Sequence, residues 1–136
     1  MDTVSKATRS RIMSRVRAKN TKPEMVVRRL CTALGLRYRL HRRDLPGTPD
    51  LVFPSKRIVI FVNGCFWHRH ARCALASMPK TRVEFWTHKF ERNQIRDAEK
   101  AAALKDLRWR PIVVWECETR TPSKLRRRLR RNLGFA

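Results

Sequence analysis

The chain has 136 residues, with 33 Lys and Arg against 11 Asp and Glu, and a net charge of +22. That length suits one domain with its own core, and that charge makes the chain repel itself unless a polyanion is near, which puts nucleic acid first among partners and an anionic membrane surface second. No apolar run approaches the roughly 18 residues that span a bilayer and the first residues lack the apolar stretch of a signal peptide, so no membrane partner and a cytoplasmic, nucleoid-associated location are expected.

Residues 5–19, "SKATRSRIMSRVRAK", put Ile12, Met13 and Val16 on one side of a short basic helix, read as an N-terminal arm over residues 1–19. "NTKPEMVVRRLCTALGL" predicts a second helix, with Pro23 in its first turn, Met25, Val27, Leu30, Cys31 and Leu34 on its apolar face, and Gly35 as its stop. Leu36, Tyr38 and Leu40 alternate with Arg37, Arg39 and His41, the pattern of a half-buried strand. "LPGTPDLVF" is a turn feeding a strand over Asp50–Phe53, and "PSK" is a tight connection to "RIVIFVN", whose continuous apolar character marks a central strand.

Thr81 and Glu84 have capping-box spacing, so a long helix is expected from near Arg82, with Val83, Phe90, Ile95, Ala98, Ala102 and Leu104 on its buried side. "WRPIVVWEC" reads as another buried strand. Thr121-Pro122 opens a last helix, Leu125, Leu129 and Leu133 inward and Arg126–Arg128, Arg130 and Arg131 outward. The order of elements predicts one α/β domain, a small central sheet between helices, with residues 20–136 as its core.

The stretch "FVNGCFWHRHARC" crowds Cys65, His70 and Cys73 behind the central strand, and Cys117 ends the next one. In a reducing compartment clustered Cys favour metal over disulfides, and Cys3His is a closed tetrahedral zinc set with no position left for substrate, hence structural. His68 is the alternative to His70 as ligand, and a buried small hydrophobe is the alternative for Cys117. Cys31 reads as core, His41 and His88 as surface or groove residues. Phe66 and Trp67 lie inside the loop such a metal would close; they either stack on or wedge between bases, or pack on the core beneath. Asp50 starts one strand and His68 lies just past the end of its expected hairpin neighbour. A carboxylate for Mg2+ beside an imidazole that activates water suits phosphodiester hydrolysis, although Asp after Pro is also a common turn residue.

In order, "PGTPDLVF", "FVNGCFWHRH", "EFW" and "VVWEC" resemble the very short patch repair (Vsr-type) endonucleases, from about Lys6 to Cys117. The resemblance implies a restriction-endonuclease-like central mixed sheet flanked by helices, a structural Zn2+ and a catalytic Mg2+. It implies an enzyme that nicks one strand of duplex DNA next to the T of a T:G mismatch, in repair of deaminated 5-methylcytosine. It further implies that Asp50 and the backbone carbonyl of Val62 bind Mg2+, that His68 is the general base or its close partner, and that Glu24 and Asp97 support them. Cys65, His70, Cys73 and Cys117 would hold Zn2+. Phe66, Trp67 and Trp86 would intercalate beside the mismatch, Met13 and Val16 pressing from the opposite groove. A monomer is expected, with mismatch-repair proteins as further partners. The second strand lacks the acidic-x-Lys pair of restriction enzymes. Asn63 stands where His is common in the family; it can hydrogen-bond Asp97 or a phosphate but cannot carry a proton. The alternative function is a zinc-stabilised, non-catalytic basic DNA- or RNA-binding protein.

Overall fold

The computed structural model describes residues 20–134, so the expected N-terminal helix, with Met13 and Val16, lies outside the described residues. Helix α1 spans Lys22–Ala33, and the Thr21 side chain caps it by accepting the Glu24 N–H at 3.3 Å. Strand β1 (Arg39–Leu40) is shorter than the alternation suggested: Leu36 and Tyr38 pack against the core, but Arg39 and Leu40 are exposed and His41 turns the chain at φ 49°. Strands β2 (Leu51–Phe53) and β3 (Ile58–Asn63) form an antiparallel pair, joined by the Pro54–Lys56 turn and Arg57 in the left-handed region. Strand β4 (Arg110–Trp115) lies parallel to β3, giving a mixed sheet in the order β1-β2-β3-β4.

A parallel neighbour requires a long crossover. Helix α2 (Val83–Asp106) supplies it and covers one face of the sheet, where Leu104 and Trp109 meet Val52 and Val59. The opposite face carries the larger core: Val27 and Cys31 of α1 and Leu125 and Leu129 of helix α3 (Pro122–Asn132) pack on Leu51, Phe53, Ile60 and Val114. Cys31 is wholly buried there, and burial pushes its thiol up to about 12, in keeping with a core role.

Three expectations change. Arg82, not Thr81, precedes the first turn of α2 and makes no side-chain cap. This register puts Glu84 one position too early to close a capping box, although its charge still suits the helix N-terminus. The seam through Ile95, Ala98 and Ala102 faces solvent, Ile95 being 57% exposed and Val83 47%. The inward stripe instead runs from buried Phe90 to buried Leu104 through Asp97, seven residues from each and so on the same side of the helix. Apolar periodicity misled because the inward face is polar in its middle. Finally, Arg128 turns inward rather than outward, donating to Glu118 Oε1 at 2.6 Å and to the Val113 carbonyl at 2.8 Å.

Candidate active site and metal centre

The parallel pairing of β3 with β4 sets Asn63 beside Trp115. Two residues further on, each strand delivers a cysteine to the same edge, and the Cys117 N–H points at Cys65 Sγ at 3.4 Å. The loop then folds back through Arg69 and Arg72, both at positive φ. It carries His70 Nδ1 to 3.6 Å from Cys65 Sγ and 3.4 Å from Cys117 Sγ, and the imidazole stacks on Trp115 at 4.2 Å. With Cys73, the four ligand atoms lie within 4.8 Å of one another. Tetrahedral bonds of about 2.3 Å to sulfur and about 2.1 Å to nitrogen need edges of about 3.6 Å, so the donor set fits one tetrahedral ion. The thiols also resist ionising together. Burial holds Cys65 up at about 12, while a backbone N–H, from Leu75, holds Cys73 below its ordinary value. A bound cation would let all of them act as thiolates. His68 is not part of this set, whose clustered ligand atoms are those of Cys65, His70, Cys73 and Cys117, and its Nδ1 has a partner of its own.

That partner is Asp97 Oδ2, at 2.6 Å. Asp97 lies on the polar middle of the inward stripe of α2, which faces a cleft of about 930 Å³. Asp50 enters the cleft from the start of β2 and Val62 from the end of β3. The antiparallel register leaves the Val62 amide without a strand partner there, and it donates to Asp50 Oδ2 at 2.7 Å. Burial raises the Asp50 carboxyl to about 6; the Val62 N–H opposes this and the negative charge of Glu24 adds to it. Glu24, in the first turn of α1, is only 2% exposed and accepts from the Asn20 N–H and from Arg28. Asn63 is buried at the end of β3 on the same cleft wall, and Asp97 takes His68 as its partner.

His41, read from the sequence as a surface or groove residue, does not line the cleft itself but contacts Glu24 and Asp50, which do. Its N–H meets the Asp50 carbonyl at 3.2 Å, and its Nε2 lies 3.1 and 3.0 Å from the two Glu24 oxygens. Glu24, His41 and Asp50 have ligand atoms within 4.8 Å of one another. Sequence spacing could not reveal this, since the three residues come from a helix, the turn after an edge strand and the residue before a central strand. The one available signal was that His41 directly follows a strand that had to pair with the strand of Asp50. His88 stays exposed, as expected.

The aromatic residues of the loop are not held out singly in solvent. Trp67 is only 9% exposed, and Phe66 packs edge-on to Trp67 at 5.3 Å and to Trp86 at 5.7 Å. Trp86 stacks on Phe90 in turn. Phe66 and Trp67 form one wall of the cleft beside His68. Phe85, the middle residue of "EFW" and given no role from the sequence, stands 46% exposed against Trp86.

Comparison with known proteins bears on this arrangement. A family model described as DNA mismatch endonuclease Vsr matches residues 1–75. The type II nicking enzyme V.XorIIP of Xanthomonas oryzae pv. oryzae is 51% identical over 129 residues, 95% of this chain and 94% of the relative. The DNA mismatch endonuclease Vsr of Escherichia coli is 43% identical over 124 residues, 91% of this chain and 79% of the relative. The type II nicking enzyme V.NmeAIP of Neisseria meningitidis is 36% identical over 130 residues, 96% and 92% of the two chains. Likeness of this extent takes in the carboxylate cleft and the Cys/His loop together, and the chain belongs to the DNA mismatch endonuclease Vsr family, as a DNA endonuclease.

Proposed function

We propose that the enzyme nicks one strand of duplex DNA next to the T of a T:G mismatch, in repair of deaminated 5-methylcytosine, by Mg2+-dependent hydrolysis of a phosphodiester. One observation carries the reading: buried Glu24 and half-buried Asp50, a carboxylate-bound imidazole and an aromatic wall converge on a single cleft. The name of the Escherichia coli relative, a DNA mismatch endonuclease, supports mismatched DNA as the substrate.

In this reading Asp50 and the Val62 carbonyl hold Mg2+. A strand residue directs its N–H and C=O to the same side, and the Val62 N–H already faces Asp50. Bound there, Mg2+ would neutralise charge developing on the phosphoryl oxygens. The His68–Asp97 bond keeps the proton on Nδ1 and leaves Nε2 as the base that takes a proton from the attacking water. Asp97 stabilises the imidazolium that results. Water attacks phosphorus, the bond to the leaving sugar oxygen breaks, that oxygen takes a proton from solvent, and one strand is cut. Asn63 donates a hydrogen bond to the phosphate. Cys65, His70, Cys73 and Cys117 would hold Zn2+, which would anchor the loop so that Phe66 and Trp67, with Trp86 behind them, insert as a rigid unit beside the weakly stacked wobble pair. The family supports a bacterial cytoplasmic location, and no helix among the described residues is long and apolar enough to cross a membrane.

The test is a nicking assay on duplexes that differ only in one pair, T:G against T:A, in several flanking contexts, with and without Mg2+. Nicks confined to the T:G strand and requiring Mg2+ are expected. Equal cutting of both duplexes would remove the mismatch from the reading, and cutting without divalent cation would remove Mg2+.

A further inference from the structure

Resting on the reading of this cleft as a divalent-cation site, we propose that Glu24 and His41 join Asp50 and the Val62 carbonyl in the ligand set, and that the imidazole makes the site prefer Mn2+ over Mg2+ more strongly than oxygen ligands alone would. An N–H donor normally aims at one acceptor. The Nε2 of His41 instead sits 3.1 and 3.0 Å from the two oxygens of one carboxylate. Adjacent ligands of an octahedral ion with bonds of about 2.1 Å are about 3.0 Å apart. The spacing of the imidazole nitrogen and the Glu24 oxygens therefore fits neighbours on one ion. Asp50 adds a carboxylate oxygen within 4.8 Å of both.

The backbone points the same way. His41 adopts φ 49° where β1 could have continued extended, and its N–H still closes onto the Asp50 carbonyl. That local turn costs free energy and rotates the ring inward onto Glu24. Among only 11 acidic residues in a chain of net charge +22, two bring their carboxylates within 4.8 Å of this imidazole. An all-oxygen set suits Mg2+ and Ca2+, and an imidazole nitrogen shifts preference toward first-row transition ions.

The experiment uses full-length, zinc-loaded protein, with Mn2+ as the probe. Loss of the free Mn2+ electron paramagnetic resonance signal measures affinity, and pulsed spectra report nitrogen on the bound ion. Wild type should bind Mn2+ with clear 14N modulation, and Asp50→Asn should abolish binding, placing the ion in the cleft. His41→Gln reaches Glu24 with an amide but offers no imidazole. It should keep its fold and zinc content, lose the modulation, weaken Mn2+ binding by about tenfold or more, and narrow the Mn2+ over Mg2+ preference. Bound Mn2+ without 14N modulation in wild type, which needs no variant to fold, would overturn the proposal. So would an unchanged affinity in His41→Gln, which would leave His41 as a residue that only positions Glu24. A wild-type protein that shows the modulation but nicks no duplex would sink the proposed function alone.

Discussion

Replacing Asp50 with Asn separates stability from activity at the centre of the cleft. Burial raises the Asp50 carboxyl from 3.8 to about 6, Glu24 adding to the effect and Val62 and His41 opposing it. A carboxyl whose folded pKa lies above its unfolded value binds its proton more tightly in the folded chain. Its destabilising effect is absent below 3.8, grows up to about 6, and is fully present above that. Two units of difference would correspond to about 3 kcal/mol at most. Water in an open cleft screens the charge, so about 1–2 kcal/mol is the expected effect. Asn retains an oxygen for the Val62 N–H, now at 2.7 Å, without the charge. In urea unfolding without added divalent cation, Asp50→Asn should exceed wild type by about 1–2 kcal/mol at about pH 8, and match it at about pH 4. Comparing the two proteins at each pH cancels the contribution of the Cys/His centre, which also titrates. Added Mg2+ should then stabilise wild type and not the variant, because only an ion bound to the folded state shifts the equilibrium. Nicking should be lost throughout. A variant less stable than wild type at the higher pH, or an advantage that does not change with pH, refutes the account of a buried, functional carboxylate. A variant that nicks at the wild-type rate refutes its catalytic role.

Other consequences are open to measurement. His68→Ala should slow single-turnover nicking by about 10²–10⁴-fold with duplex affinity little changed, and Asp97→Asn should follow it in direction; a normal rate in both would move the base elsewhere. Cys117→Ser should lower zinc content below one equivalent and lower the Tm, as expected of a metal whose binding is part of folding. Trp86→Ala and Phe66→Ala should each lose about 1–3 kcal/mol of stacking on T:G duplex with less effect on matched duplex. Trp67 is a poorer probe, since at 9% exposure its truncation also removes core packing. Converting Arg126, Arg127, Arg130 and Arg131 to Gln should weaken matched and mismatched DNA alike, flattening the salt dependence by about 0.9 for each phosphate left without its cation. Arg128 is left out of that set because it holds Glu118 and the Val113 carbonyl.

What sequence alone determined were the features written in consecutive residues. Charge pointed to a polyanion, unbroken apolar runs marked β3 and β4, and the Cys/His spacing of the loop marked a donor set that could hold a metal. The placing of Asp50 and His68 near one another followed from reading β2 and β3 as a hairpin. Tertiary structure decided the rest, because it depends on register between segments far apart in the chain. Cys117 joins Cys65 only through the parallel pairing of β3 with β4. His41 reaches Glu24 only because β1 docks on β2 and the chain then turns through a left-handed residue, neither of which leaves a periodic trace. The inward face of α2 was misread for a related reason. Apolar periodicity reports the face that packs on a core, but here Phe90 and Leu104 anchor the two ends of the inward stripe while Asp97 between them faces the cleft. A helix that lines a site must turn polar side chains inward, and the hydrophobic pattern is then weakest where the function is concentrated.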